Sequence, residues 1–421
     1  MLAAKITKAR ELGQKIVHKP ELKDLSEIAL KTVANNYLLY KKLEGLDFKY
    51  KIKVYEIMSV DYDIEDIFPI IDYEPYWERV CRKQFKSENC SSNGNSWKQC
   101  YAENYVKNLI TNYRVSEGEK ILEELKRVCN IVKYHIFNLD IPTFSCSFDI
   151  SFIPQYFLNL TSLSLKYSPI LRDHDDDKNQ EIFTKKLKPI EDEYSQFGIR
   201  IPDLKKFCVL ITDLSYFLSL TLCGNLVDDE MIKWLVPGLI TNQTLRELDL
   251  SSNRITEKGM IKIASHLVRT RSLVSIDLSN NLIGGESSFA IGLVLKENTK
   301  LKILKLAMNR FDDLNGSRII KMLAKNNYLE ELDLSTNLLG EETIKNLNLA
   351  LKFNSTIKSI DLSHNEVTMN EETLKIAETH PTLGTLDLRH TNSEQSLLKK
   401  LDECLIKKAI KLQLSNKNHI S

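Results

Sequence analysis

The second half of the chain repeats one arrangement of hydrophobic and polar positions. Residues 244–253, TLRELDLSSN, follow the template L-x-x-L-x-L-x-x-N, and later segments keep Leu or Ile at most of the same apolar positions. The asparagine that closes the template returns every 28 residues, at Asn225, Asn253, Asn281, Asn309, Asn337 and Asn365. Equal intervals of this length are the sequence signature of a tandem-repeat protein.

Each repeat combines two hydrophobic periods. The alternation of Leu248 and Leu250 has the two-residue period of a β-strand. Further apolar residues follow the asparagine by ten and fourteen positions, as Ile263 and Leu267 follow Asn253. A spacing of four places both on one face of a helix. Each repeat is therefore predicted to be a strand, a turn, a helix and a second turn.

One repeat cannot bury its own apolar faces, so neighbouring repeats must stack on one another. Stacking places the strands side by side in a parallel sheet and the helices in a second layer. Because helices are bulkier than strands, the stack should curve. The sequence thus predicts an α/β fold: a leucine-rich-repeat horseshoe of the ribonuclease-inhibitor type, with a concave parallel sheet and convex helices, preceded by a mostly α-helical N-terminal domain.

The template and the polarity divide the chain into three predicted parts. Residues 1–150 lack the template and are expected to form the helical N-terminal domain. Residues 151–392 are expected to form the solenoid, which begins with an isolated copy at 160–165 and contains a polar insertion at about 171–188. Residues 393–421 are expected to form a C-terminal capping helix and a basic tail, because Leu397, Leu401 and Leu405 have helical spacing.

The six regularly spaced asparagines are predicted to be structural, and we call them the Asn ladder. Tight turns leave backbone groups without partners, and an amide side chain can both donate to and accept from them. We therefore expect Asn225, Asn253, Asn281, Asn309, Asn337 and Asn365 to be buried and bonded to loop backbone.

Charged residues on the predicted strands form a candidate partner-binding surface, which we call the concave stripe. Their side chains should point away from the leucines and line the concave face. The stripe comprises Glu247, Asp249, Asp277, Lys305, Glu331, Asp333, Asp361 and Asp387. A basic helix or loop of a partner would fit it. The alternative is that the aspartates belong to the common L-D-L-S phrase of such repeats and have no ligand.

Composition and motifs argue against several other classes of protein. The formal net charge is +1, no apolar run is long enough to span a membrane, and the N-terminus lacks the apolar stretch of a signal peptide. The eight cysteines lack C-x-x-C spacing and are expected to be reduced, and His174 among aspartates lacks a defined metal geometry. Phosphate-binding loops and catalytic triad motifs are absent. We expect a cytoplasmic protein that is not an enzyme and has no cofactor, metal, small-molecule substrate, nucleic-acid partner or membrane partner.

Three segments resemble a known family. They are EPYWERVCRKQF (residues 74–85), GNSWKQCYAENYVKNLI (94–110) and FGIRIPDL (197–204), arranged as helical domain, one separated repeat, insertion and continuous array. This combination resembles the dynein regulatory complex subunit 5 family. The resemblance implies a non-catalytic structural and regulatory subunit of the nexin–dynein regulatory complex in the axoneme of cilia and flagella. Its implied partners are other subunits of that complex, with dynein and the doublet microtubule surface as further candidates.

Two other functions share this kind of repeat. A GTPase-activating protein of the Ran type would need polar residues that converge on a nucleotide, and Arg254 and Arg310 are the candidate arginines. A substrate receptor of a ubiquitin ligase would use the N-terminal helices as an adaptor-binding motif. A GTP-hydrolysis assay tests the first function, and a pull-down of the ligase adaptor tests the second.

Overall fold

The computed structural model describes residues 21–39, 43, 45–86, 96–113, 118–145, 148–167 and 198–418. These residues divide into two compact units. The helical unit comprises residues 1–106 and 123–136, and the solenoid unit comprises 107–122 and 137–421. The polar insertion expected at 171–188, including His174, lies outside the described residues.

Aromatic side chains form the core of the helical unit. The helices of the N-terminal region are α1 (Glu21–Asn35), α2 (Phe48–Ile57), α3 (Ile64–Ile67), α4 (Glu74–Phe85), α5 (Trp97–Thr111) and α6 (Gly118–Val132). Tyr76, Trp77 and Tyr101 are almost fully buried, and the indole N–H of Trp77 donates to the carbonyl of Ile71. Because these rings fill the core of the unit, the buried aromatic residues of α4 and α5 have a packing role.

Within its described residues, the solenoid unit contains a parallel sheet of nine strands in chain order. They are β1 (Asn138–Phe144), β2 (Ser162–Tyr167), β3 (Ser219–Thr221), β4 (Glu247–Asp249), β5 (Ser275–Asp277), β6 (Ile303–Lys305), β7 (Glu331–Asp333), β8 (Ser359–Asp361) and β9 (Thr385–Asp387). From β3 to β8 each residue pairs with the one 28 positions later, so Leu220, Leu248 and Ile276 lie side by side. The leucine-rich-repeat horseshoe fold is confirmed.

The helices form the second layer and share the buried leucines with the sheet. They are α7 (Phe152–Tyr156), α8 (Ile201–Leu210), α9 (Asp229–Thr241), α10 (Glu257–Leu267), α11 (Ser287–Glu297), α12 (Asp313–Met322), α13 (Glu341–Leu351), α14 (Glu371–Thr379) and α15 (Gln395–Asn418). Asp228, Thr256, Asp312 and Asn370 cap four of them by accepting backbone N–H groups of the first turn. Asp228, Thr256 and Asp312 each lie three residues after an asparagine of the Asn ladder, so these three helices begin at the same place in the repeat.

Strand β1 was not expected from the sequence. It lies within residues 1–150, which were assigned to the helical domain, and it pairs in parallel with β2. Ile136, Leu139 and Ile141 occupy the three apolar positions of the template and are buried. Phe144 stands where the template has asparagine, and without that marker this copy resembles any short apolar segment. The sheet therefore begins one repeat earlier than the copy at Leu160.

Cysteine chemistry also departs from expectation at one position. Cys100 is disulfide-bonded, which corrects the prediction of reduced thiols there. Cys81, Cys129 and Cys208 are buried free thiols, and burial raises the pKa of each. Spacing along a chain does not determine which cysteines meet in space, so this bond could not be predicted from the positions of the cysteines.

Candidate functional site

The Asn ladder bonds each repeat to the repeat before it. Asn253 Nδ2 donates to the carbonyls of Leu222 and Leu250 at 2.9 Å, and its Oδ1 accepts from the backbone N–H groups of Asn225 at 3.0 Å and Val227 at 2.9 Å. The same pattern recurs along the column, where Asn225, Asn253, Asn281, Asn337 and Asn365 are buried and Asn309 is half-buried. These amides therefore bond the backbone of neighbouring repeats.

A second polar column, which the sequence analysis missed, ties the helix ends together. We call it the helix-end ladder; its members are Asn242, Asn298, Asn326, Asn354 and His380, all buried. Asn354 Nδ2 donates to the carbonyl of Leu323, and its Oδ1 accepts from the backbone of Thr356 and Ile357. The signal was available, because Asn298, Asn326 and Asn354 are also 28 residues apart.

The aspartates of the concave stripe have a structural role in their own turns. Each accepts a hydrogen bond from the backbone N–H two residues later, at 2.8–2.9 Å. They are Asp249, Asp277, Asp333, Asp361 and Asp387, and all five are half-buried. One carboxylate oxygen of each thus shapes the turn, whereas Glu247, Lys305 and Glu331 are exposed.

The structure brings the concave stripe together as one continuous, mostly acidic surface. Parallel register places Asp249 beside Asp277, Asp277 beside Lys305, and Asp333 beside Asp361. Lys305 Nζ is 3.7 Å from Asp277 Oδ2, and Arg389 pairs with Asp387 and lowers the pKa of that carboxyl. Among the described residues no ion pair engages the other five acids of the stripe, so its charge is largely available.

A row of ion pairs borders the stripe at the starts of the strands. Glu330 accepts from Lys302 at 2.7 Å and from Lys358 at 2.6 Å, and these two hydrogen bonds lower the pKa of its carboxyl. The three side chains belong to consecutive repeats. Two lysines face one glutamate, so this border carries a net positive charge beside the acidic stripe.

The candidate residues for catalysis and metal binding do not form a site in the described part of the chain. Arg254 and Arg310 are exposed in loops two repeats apart. Across the described ranges, no three or more His, Cys, Asp or Glu side chains are grouped so that they could hold a metal ion. None of the helices in those ranges is both long and apolar enough to cross a bilayer.

Comparisons with known proteins agree with the repeat and with the resemblance to the dynein regulatory complex subunit 5 family. The family model described as Leucine Rich repeat matches residues 241–264 and 353–368. Dynein regulatory complex subunit 5 of Chlamydomonas reinhardtii is 25% identical over 212 residues, which is 50% of this chain and 49% of the relative. The subunit of the same name from Mus musculus is 24% identical over 251 residues, 56% of this chain and 49% of the relative. The resemblance to this family is confirmed, and the chain spans about half the length of both curated relatives.

Among solved structures, an internalin from Listeria monocytogenes covers 65% of this chain and 74% of its own, at 17% identity and a TM-score of 0.37.

Proposed function

We propose that this chain is a structural and regulatory subunit of the nexin–dynein regulatory complex. In that role it would help to link outer doublet microtubules and regulate dynein-driven motility of cilia and flagella. The observation that carries the proposal is the match of half the chain to two curated relatives that share the name dynein regulatory complex subunit 5. The repeat array supports it, because stacked repeats offer an extended surface for protein partners.

The concave stripe is the surface that we propose for a partner of the complex. It carries seven carboxylates against Lys305 within the stripe and Arg389 beside it. Like charges on strands about 4.8 Å apart repel one another, and a basic partner segment would relieve that repulsion. Each aspartate also accepts a backbone hydrogen bond in its own turn. These bonds hold the carboxylates in place in the absence of a partner.

The proposed role is non-catalytic. It needs no cofactor, metal, small molecule, nucleic acid or membrane, and it places the chain in the cytoplasm, on the axonemal cytoskeleton. Its partners would be other subunits of the complex, with dynein and the doublet surface as further candidates. The Ran-type GTPase-activating reading lacks support in the geometry, because Arg254 and Arg310 are exposed on separate loops. This view would be overturned if the purified chain stimulated GTP hydrolysis by a Ran-type GTPase.

Fractionation of motile cilia tests the proposal. The tagged chain should stay with axonemes after detergent removes the membrane and matrix, and chemical crosslinking with mass spectrometry should join it to subunits of the regulatory complex. Recovery of the chain in the detergent-soluble fraction, without such crosslinks, would overturn the axonemal assignment.

A further inference from the structure

At the last strand of the sheet, two backbone N–H groups have no acceptor among the described residues. Strand β9 ends the strand order. In the repeat before it, the N–H groups of Leu362 and His364 donate to the carbonyls of Asp387 and Arg389 at 2.9 and 3.0 Å. Leu388 and His390 hold the same places just after β9, and within the described residues their N–H groups donate to no acceptor. An unpaired edge of this kind is a template for another strand.

Beside this edge lies a cleft of about 410 Å³, which we call the edge cleft. One wall is the segment from Gly384 to Arg389, and the other is helix α15. Leu398, Leu401 and Leu405 of α15 are buried, whereas Ile406 on the cleft wall is 60% exposed. The volume is typical of ligand-binding clefts. The capping helix thus covers the end of the core and leaves room along the strand.

The charge of the edge cleft favours a basic occupant. Asp387, Arg389 and Asp402 are the charged residues that line it, and Arg389 is paired with Asp387. Asp402 is exposed and engages in no ion pair among the described residues. The sheet contains a precedent for a basic strand beside an aspartate, because Lys305 of β6 lies 3.7 Å from Asp277 of β5.

We propose that the β9 edge and the edge cleft bind an extended basic segment of another protein as a tenth parallel strand. Backbone hydrogen bonds to Leu388 and His390 supply affinity, as in other cases of strand addition. Apolar side chains on one face of the segment enter the cleft against Ile406. A lysine or arginine between them lies over Asp387 and reaches Asp402. This docking edge depends on β9 and α15 alone, so its test is separate from that of the axonemal role.

A synthetic peptide with the sequence of residues 300–309, KLKILKLAMN, is a suitable probe, because it already forms a basic strand of this sheet. Labelled peptide is titrated with the purified full chain. Saturable binding is expected, together with slowed hydrogen exchange at Leu388 and His390. The same peptide with both inner lysines replaced by glutamate, and a version with alternate backbone N-methyl groups, should bind at least about tenfold more weakly.

Matched variants locate the binding on the protein. Ile406→Glu should weaken peptide binding at least about tenfold, whereas Ile410→Glu should leave it within about twofold. Ile410 is 51% exposed on the same helix and does not line the cleft. Asp402→Lys should likewise weaken binding more than Glu403→Lys, the exposed neighbour outside the cleft. If the two variants of a pair have the same helical content and the same melting temperature as the parent chain, the fold of both is intact.

Three results would overturn the proposal. The first is no saturable binding at about 1 mM peptide. The second is equal weakening by Ile406→Glu and Ile410→Glu, or equal binding of the N-methylated peptide. The third is a concentration-dependent dimer of the chain that Ile406→Glu abolishes, since a second copy would then be the occupant.

Discussion

The side-chain oxygen of Asn281 lies 3.0 Å from the backbone nitrogen of Ile255, in the repeat before it. The amide nitrogen of the same side chain donates to the carbonyls of Leu250, Leu278 and Ser279 at 3.0 to 3.2 Å. One buried amide therefore satisfies backbone groups on both sides of a repeat boundary. Its replacement would leave several of them without a partner.

Asn281→Ala should strongly destabilise the solenoid. Each buried backbone group that loses its partner costs about 1–3 kcal/mol, so the free energy of unfolding should fall by at least about 3 kcal/mol. Urea unfolding followed by circular dichroism measures the change. Asn346→Ala is the control, because Asn346 is half-buried on α13 and its amide bonds to Glu342 of the same helix, within one repeat. Equal midpoints for the two variants would show that the ladder does not stabilise the stack.

Stability should decrease as the pH falls below about 6.5, in part through His266. This side chain of α10 is 4% exposed, and burial lowers its pKa from 6.5 to about 4. The unfolded chain binds the proton at higher pH than the folded chain does, so acid favours unfolding. Between about pH 6.5 and 4 the loss from this group is on the order of 3 kcal/mol.

His266→Gln should flatten the dependence of unfolding free energy on pH over that window. Ser265→Ala, an exposed change on the same helix that removes no titratable group, is the control and should keep the slope of the parent chain. Unfolding titrations at pH 7, 6, 5 and about 4.5 give the slopes. A His266→Gln slope as steep as that of the parent would contradict the assignment.

His380→Asn should stabilise the protein by about 1 kcal/mol. His380 occupies the last place in the helix-end ladder; its Nδ1 accepts from the backbone of Thr382 and Leu383, and its buried Nε2 forms no hydrogen bond of good geometry and has only a weak contact with the backbone of Asn354 in the described structure. Asparagine at the equivalent Asn354 uses its second atom to donate to a carbonyl of the preceding repeat. Thermal unfolding at pH 7.5 measures the gain, and a lower melting temperature would contradict it.

Removing charge from the concave stripe should weaken retention on axonemes without unfolding the chain. Asp249→Asn, Asp333→Asn and Asp361→Asn keep the oxygen that closes each turn, and Glu247→Gln and Glu331→Gln remove two exposed charges. The combined variant should be extracted at lower salt than the parent, because a contact between opposite charges is screened by salt.

The control for this experiment removes charge from the helix layer. Glu341→Gln and Glu342→Gln alter exposed residues at the start of α13. Their extraction should follow that of the parent chain. If both sets of variants leave the axoneme at the parent's salt concentration, the stripe is a structural surface and not a docking site.

The sequence predicts those parts of this fold in which the 28-residue repeat of apolar positions determines a single strand or helix and its register. Leu248 and Leu250 belong to a column that recurs every 28 residues, so their strand and its register follow from the pattern. Strand β1 did not follow, because its copy ends in Phe144 and lacks the marker asparagine. Repeats at the end of an array have one neighbour instead of two, and their sequences are less constrained.

The turn role of the stripe aspartates could not be separated from partner binding by sequence alone. A carboxylate at the Asp333 position can face a partner and accept the N–H of Ser335 at the same time. The edge cleft was equally hidden, because it depends on the distance between β9 and α15, and helical spacing in α15 says nothing of that distance. Three-dimensional geometry was needed in both cases.

The parallel order of the strands determines how the solenoid unit would respond to mechanical load. A pulling force applied at its two ends passes through every boundary between repeats in series, so the weakest boundary yields first. Each detached repeat releases 28 residues, about 95 Å of extended chain. Under load the solenoid unit would therefore lengthen in steps of one repeat. It would shorten again as the asparagines of each repeat regain their hydrogen-bond partners.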